Sequence, residues 1–246
     1  MDLRGKVAVI TGASRGLGAG LASCFAQEGL RLGLCARSAP ALPDGREVVA
    51  RQVDVRDGAG VEAFCAEVAA RLGPIDLWIN NAALLDPIGP VRDLDLEAAR
   101  LHVEVNLLGV LHGTRAYLRH RRAAGGGGVL VNVSSGAARS AYAGWGAYCA
   151  GKAAVERLTE VVALEESGSG LRAHSVSPGV IDTDMQARIR RASPQEFPQV
   201  QKFLDMKRDE AFSSPEHVAR HMLRLAFAPQ GSEAREVVIR FPPEKP

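Results

Sequence analysis

The sequence contains little that would commit it to a specialised setting. It has four cysteines, Cys24, Cys35, Cys65 and Cys149, in 246 residues. They form no CxxC pair and no metal-ligand spacing with any histidine. A disulfide framework is therefore not expected, and the thiols read as buried groups in a reducing cytoplasm. Long hydrophobic runs are missing as well. The longest uncharged stretch, Ala123–Ala138, has 16 residues and includes four consecutive glycines, Asn132 and two serines, too short and too polar to span a bilayer. The opening residues, with Asp2, Arg4 and Lys6 ahead of a short apolar run, lack a signal-peptide core. Neither sign of charge prevails: 30 basic and 28 acidic side chains leave a net +2, which gives no electrostatic case for nucleic acid or an anionic membrane. Among the six histidines only His217 and His221 share a helical face, and Arg220 and Arg224 on the same helix favour a solvated face over a zinc site. No metal is expected.

What the chain does have is ordinary globular composition, 46% hydrophobic and 24% charged, with a mild excess of glycine (26 residues). Short apolar β-type runs alternate with longer segments of helical period. Strands are expected at Lys6–Thr11, Leu30–Cys35, Glu47–Val53, Ile75–Ile79, Val129–Val133, Leu171–Val176 and Glu236–Phe241. Helices are expected at Arg15–Glu28, Asp57–Leu72, Leu96–Arg122, Tyr148–Glu166 and Pro215–Ala228. This alternation implies right-handed crossovers and an α/β fold: one doubly wound, Rossmann-type parallel sheet of about seven strands, with helices on both faces. No linker interrupts it, so residues 1–246 read as one domain. Two regions break the pattern. Ser38–Arg46, with Pro40 and Pro43, should be a loop in place of a crossover helix. Ile181–Ser214, with Pro194 and Pro198, should hold two short helices in an insert of the kind used as a substrate lid.

The glycines explain the first site. Gly12-Ala13-Ser14-Arg15-Gly16-Leu17-Gly18 lies between the first strand and first helix, where free N–H groups and the helix dipole favour a pyrophosphate. The spacing is GxxxGxG rather than GxGxxG, and its place at the first βα junction is what turns a helix-capping turn into a dinucleotide cradle. An NAD site carries an acid at the end of strand two to bind the ribose 2′-hydroxyl. Here that place reads Cys35-Ala36-Arg37-Ser38. Arg15 and Arg37 together, with the acid missing, point to a 2′-phosphate and hence NADP(H).

Further along, Tyr148 and Lys152 stand at i and i+4 on one helical face. Ser135 follows the fifth strand, Asn80-Asn81-Ala82-Ala83 follows the fourth, and Asn106 lies in the long helix. With these motifs in order from Lys6 to about Met185, the chain resembles the short-chain dehydrogenase/reductase family, in its NADP-dependent form. The resemblance implies Tyr148 as proton donor, Ser135 orienting a carbonyl, and Lys152 binding the nicotinamide ribose and lowering the Tyr148 pKa. A drop of roughly three units from ~10 corresponds to about 4 kcal/mol, which a close ammonium and the oxidised cofactor's charge would together supply. Asn106 would hold a relay water. Asp54 and Val55 would meet the adenine, Asn81 and Ala82 would line the cofactor, and Pro178, Gly179 and Thr183 would carry the nicotinamide. Ala83 departs from the glycine usual in the family's NNAG. A homodimer is implied too, formed through the helix from Leu96 and the Tyr148 helix.

The runs Gly144–Lys152, Leu164–Glu166 and Pro178–Gln186 are most similar to sepiapterin reductases and bacterial benzil reductases. Sepiapterin reductases anchor the pterin through an aspartate in the last strand. Arg240 or an apolar neighbour occupies that place, which favours reduction of a small, aromatic or vicinal-dicarbonyl substrate of the benzil type, with pterin side-chain reduction as the alternative. Tyr142, Trp145, Met185, Phe197 and Phe203 are candidates for the pocket wall, though each would serve equally in ordinary packing. A non-catalytic NADP(H) sensor or scaffold is the rival of another class, and would be expected to have lost one of Ser135, Tyr148 and Lys152.

Overall fold

The computed structural model describes residues 2–40, 42–43, 47–228 and 236–244. Strands β1 (Val7–Thr11), β2 (Arg31–Ala36), β3 (Val48–Gln52), β4 (Leu77–Asn80), β5 (Val129–Val133), β6 (Arg172–Ser177) and β7 (Val238–Arg240) form one sheet in the order 3-2-1-4-5-6-7. Every pairing is parallel; Val9 lies opposite Gly33 on one side and Trp78 on the other. The β-branched and aliphatic strands β1 and β5 are buried throughout, as strands covered on both faces must be. Helices α1 (Gly16–Gln27) and α8 (Pro215–Phe227) seal one face of the sheet, with Leu21, Phe25, Val218 and Met222 in its core. On the other face lie α2 (Gly58–Leu72), α4 (Gly109–Ala123) and α5 (Gly146–Glu165), contributing Val61, Phe64, Tyr117 and Val162 around Trp78. The strand order reverses between β1 and β4, so a crevice opens at their carboxyl ends.

A buried polar chain sets the spacing on that second face. The Asn80 amide donates to Asn132 Oδ1 (2.8 Å) and Thr114 Oγ1 (3.2 Å) and accepts from Trp78 Nε1 (2.8 Å). Asn132 in turn donates to Thr159 Oγ1 (2.9 Å), which donates to the Val155 carbonyl (2.7 Å). Gly113 makes room for this, since a Cβ there would fall 2.1 Å from Asn80 Oδ1.

Most expected elements are present to within two residues. The helix expected over Leu96–Arg122 is not continuous. It divides into α3 (Leu96–Val103) and α4 about a π-helical turn, Glu104–Leu108. The insert does carry two short helices, α6 (Asp184–Arg190) and α7 (Val200–Arg208), joined through Asp182, which pairs with Arg190 (2.9 Å) and Lys207 (2.7 Å). In the expected 38–46 loop, Ser38–Pro40 and residues 42–43 carry no helix, and the remainder lies outside the described residues. The solvated face expected of His217 and His221 is not found. His217 is buried and bonded to the Pro242 carbonyl (2.9 Å), and His221 stacks on Phe241, because the segment after β7 folds over α8.

His102 and His174 are also buried, and burial holds both imidazoles below the ordinary 6.5. The unfolded chain therefore takes up protons near pH 6.5 that the fold resists, so stability is full above that pH and declines below it. The unfolding free energy from urea titration should fall as the pH is lowered from 6.5 to 5, by at most about 1.4 kcal/mol per pH unit for each histidine. A free energy constant down to pH 5 would contradict this assignment.

Candidate active site

The carboxyl ends of the strands open into one continuous cleft of about 1110 Å³. At one end lies the glycine turn. Gly12 and Gly16 have φ of +69° and +56°, a region that L side chains avoid. A Cβ on Gly18 would meet the Gly12 carbonyl at 2.3 Å, and one on Gly12 would meet Ala82 Cα at 2.7 Å. The turn is pinned from β4: Asn81 donates its amide to the Thr11 (2.9 Å) and Gly12 (3.3 Å) carbonyls, and Thr11 Oγ1 accepts from the Asn81 and Ala82 amides. The start of α1 has no side-chain cap and no acid in its first turn. Ser14, Arg15, Leu17, Arg37, Asp54, Val55 and Pro178 line the same region. Asp54 is held by Arg56 (2.7 Å), whose hydrogen bonds keep its carboxyl below the usual range. Arg15 reaches across to Asp184 (3.3 Å), both side chains exposed. Thr183 sits beside Gly16, its methyl 3.3 Å from where a Cβ would lie, and Gly179 adopts φ +89°.

Midway along the cleft, Ser135, Tyr148 and Lys152 come together. Tyr148 and Lys152 are buried neighbours on α5. The ammonium donates to the Val133 carbonyl at the end of β5 (2.8 Å) and lies 5.7 Å from the Tyr148 ring centroid. Burial drives Lys152 down to about 8 and raises the Tyr148 phenol above 10, with Ser135 pulling the phenol the other way. Desolvation, which opposes every charged form, outweighs the Ser135 hydrogen bond in the chain itself; the lowering expected from the sequence draws on the bound cofactor's charge as well as on Lys152.

Asn106 is placed by the π turn. Its Oδ1 accepts from the Leu84 N–H (2.7 Å), and Nδ2 donates to the Leu84 carbonyl (2.7 Å) and His102 Nε2 (2.8 Å). His102 was not singled out from the sequence. It is completely buried, bonds the Asp86 carbonyl through Nδ1 (2.9 Å), and packs edge-on to Tyr148 with ring centroids 6.1 Å apart. The one signal available was its i, i+4 relation to Asn106. Gly151 leaves the space, since a Cβ there would lie 3.0 Å from His102 Nε2.

The far end is aromatic. Trp145 stacks on Phe197 (4.5 Å, 9°) and contacts Tyr142 (4.9 Å), Phe203 (5.5 Å) and Tyr148 (5.5 Å). Met185 and Ile189 complete the cluster. Gly144 lets the insert close on this wall, for a Cβ on it would strike the Glu196 carbonyl at 2.1 Å. Arg240 and Phe241 border the cleft at the end of β7. Among the described residues no group of three or more His, Cys, Asp or Glu side chains could hold a metal ion, and no helix is long and apolar enough to cross a membrane.

The family model for short chain dehydrogenases matches residues 6–194. The chain belongs to that family. It is an oxidoreductase whose relatives are dehydrogenases and reductases of alcohol and carbonyl groups. It is 30% identical to the benzil reductase ((S)-benzoin forming) of Bacillus cereus over 94% of this chain and 98% of the relative. Among solved structures it is similar to the KRED1-Pglu enzyme (TM-score 0.85, 32% identity, covering 95% of this chain and 100% of that one). It is also similar to actinorhodin polyketide ketoreductase with NADPH (TM-score 0.78, 28% identity, covering 91% and 90%).

Replacing His102 with leucine keeps the volume but strands the Asp86 carbonyl and one Asn106 donor. A loss of about 2–3 kcal/mol in unfolding free energy is expected, measured by urea denaturation at pH 7.5. A stability unchanged within 0.5 kcal/mol, on the order of a neutral surface substitution, would show that these hydrogen bonds hold nothing.

Proposed function

We propose that this protein is an NADPH-dependent carbonyl reductase acting on one carbonyl of a small aromatic or vicinal-dicarbonyl substrate, of the benzil type. The observation that carries the reading is the position of Ser135, Tyr148 and Lys152 between the glycine cradle and the aromatic wall. The 30% identity to a benzil reductase over nearly the whole chain supports the substrate class.

The cradle fits a dinucleotide on its own chemistry. The uncapped start of α1 offers open amides and the positive end of a helix dipole, and the glycines keep Cβ atoms away from the turn. Gly12, Ser14, Arg15, Gly16, Leu17 and Gly18 would hold the pyrophosphate. Asp54, Val55, Asn81 and Ala82 would border the adenosine half, and Lys152, Pro178, Gly179 and Thr183 the nicotinamide half. Arg37 stands directly after β2 where an NAD site carries an acid, and the exposed Arg15–Asp184 pair is weak enough to exchange for a phosphate. Bound NADPH supplies the hydride.

The residues manage the proton. Burial keeps the Tyr148 phenol protonated at neutral pH, the form a proton donor needs. Tyr148 gives that proton to the carbonyl oxygen, and the Ser135 hydroxyl donates to the same oxygen and fixes its direction. Lys152, still protonated at pH 7 with a pKa of about 8, stabilises the phenolate left behind. Asn106 acts as a positioning residue, holding Leu84 and His102 around the phenol while its backbone carbonyl is the place for a relay water. The 181–214 segment serves as the lid, since α6 and α7 close the aromatic end. The chain works as a homodimer; exposed Leu96, Val103, Leu108 and Leu111 on the α3–α4 side and Val161 and Leu164 on α5 support that surface. Four free cysteines suit a reducing cytoplasm.

Tyr148→Phe should reduce kcat with NADPH and a 1,2-diketone by at least a hundredfold, in line with the roughly 10²–10⁴-fold value of a general acid, while NADPH binding followed by fluorescence stays near wild type. Retention of more than a tenth of kcat would refute the proton-donor role. Arg37→Asp should move the NADPH/NADH ratio of kcat/KM towards NADH by about a hundredfold, as expected for losing a charge-assisted phosphate contact and adding repulsion. An unchanged ratio would remove the NADP assignment.

A further inference from the structure

The charges around the cleft are unevenly spent. Its three carboxylates are all in ion pairs: Asp54 with Arg56 (2.7 Å), Asp86 with Arg188 (2.8 Å) and Asp184 with Arg15 (3.3 Å). Lys202 is the converse case. It lines the aromatic end of the cleft from the first turn of α7 and has no carboxylate within 4.0 Å among the described residues. Its ammonium instead rests against rings, 5.5 Å from the centroid of Tyr142 and 5.9 Å from that of Phe203, and touches the Tyr142 hydroxyl at 3.3 Å. Its place near the start of a helix, in a first turn without any acid, is one where the dipole disfavours a cation. Lys202 is exposed at the rim of the cleft, and its ring contacts hold the ammonium at the aromatic end.

The geometry relates Lys202 to the reacting centre. Tyr148 contacts Trp145, Trp145 contacts Tyr142, and Tyr142 carries the Lys202 ammonium. A ring lying along Trp145 and Tyr142, with its carbonyl at Tyr148 and Ser135, directs its distal edge to Lys202. We infer that Lys202 is an anion-binding residue of the substrate pocket, and that the preferred substrates are aryl ketones or diketones bearing a carboxylate (or a comparable anionic group) on the side of the ring away from the reacting carbonyl. This inference rests on the carbonyl-reductase reading above and narrows its substrate class. A charge-assisted contact of this kind is expected to favour the anionic substrate by about tenfold, and the advantage should shrink with added salt.

The test compares benzil with 4-carboxybenzil, using the full chain and NADPH. Wild type should show a higher kcat/KM for the carboxylate, expressed mainly in KM. In Lys202→Met, which keeps the apolar stem and removes the charge, the ratio of kcat/KM for 4-carboxybenzil over benzil should fall about tenfold. Lys202→Arg should restore most of it, and 0.5 M NaCl should lower it in wild type and Lys202→Arg but not in Lys202→Met. An unchanged ratio in Lys202→Met, or no preference in wild type, would overturn the inference. If neither compound is turned over, the reductase reading falls separately. The inference then stands or falls on the Kd values of the same two compounds, measured by tryptophan quenching. A Kd ratio equal in wild type and Lys202→Met overturns it, and a tenfold loss of the preference upholds it.

Discussion

The placement of the site depends on a line of amides and hydroxyls, Asn80–Asn132–Thr159, that crosses from β4 through β5 to α5 without contact with water. Each hydrogen bond contributes only about 1 kcal/mol net, but a buried donor or acceptor left alone costs up to about 3 kcal/mol. The chain of three has one arrangement in which all members are satisfied, so it fixes register as well as stability. Helix α5 cannot slide along β5 without breaking the Thr159 contact, and it carries Tyr148 and Lys152. Thr114 and the Val110 carbonyl tie α4 to the same asparagine. The fold on this side is positioned by polar geometry, while the core of the α1–α8 side is apolar, with Arg172 tying the end of α8 to β6 through the Leu225 and Ala226 carbonyls.

Burial acts on Tyr148 and Lys152 of α5 in opposite chemical senses and to the same end. It makes the phenol a weaker acid and the ammonium a stronger one, so each shifts towards its neutral form. Against burial stand the Ser135 hydroxyl, whose hydrogen bond favours the ionised phenol, and the Lys152 ammonium 5.7 Å from the ring centroid.

Much of this was legible in the residues. Val129–Val133 reads as a strand because its apolar residues are consecutive and a glycine run precedes them, and the strand has those same bounds. The cradle was legible because glycine is the residue that suits a positive φ, as at Gly12 and Gly16, and so close a backbone approach, as at Gly12 and Gly18. The π turn was not, since Glu104–Leu108 continues the helical hydrophobic period and contains no proline or glycine to mark a break. The role of the Asn106 amide was hidden for a related reason: its partners, Leu84 and His102, belong to a loop and a helix that only the folded chain brings together. His102 looked like any helix-face histidine, and its burial depends on the space left by Gly151. The sequence supplies the ammonium beside Tyr148 but not the depth at which both are buried, so the direction in which burial alone moves the phenol could not be read from it.

The π turn has a consequence for how this helix tolerates change in length. A π turn is a helix with one residue in excess of the regular ladder, and each residue of an α-helix advances the azimuth by about 100°. Because the wide turn absorbs the extra residue, α3 and α4 keep the phase they would have in one regular helix, and His102 and Asn106 stay on the face that meets Tyr148 and Leu84. A residue gained or lost elsewhere along this helix would rotate one half against the other by that angle. The helix can thus take up a change in length only at the turn itself.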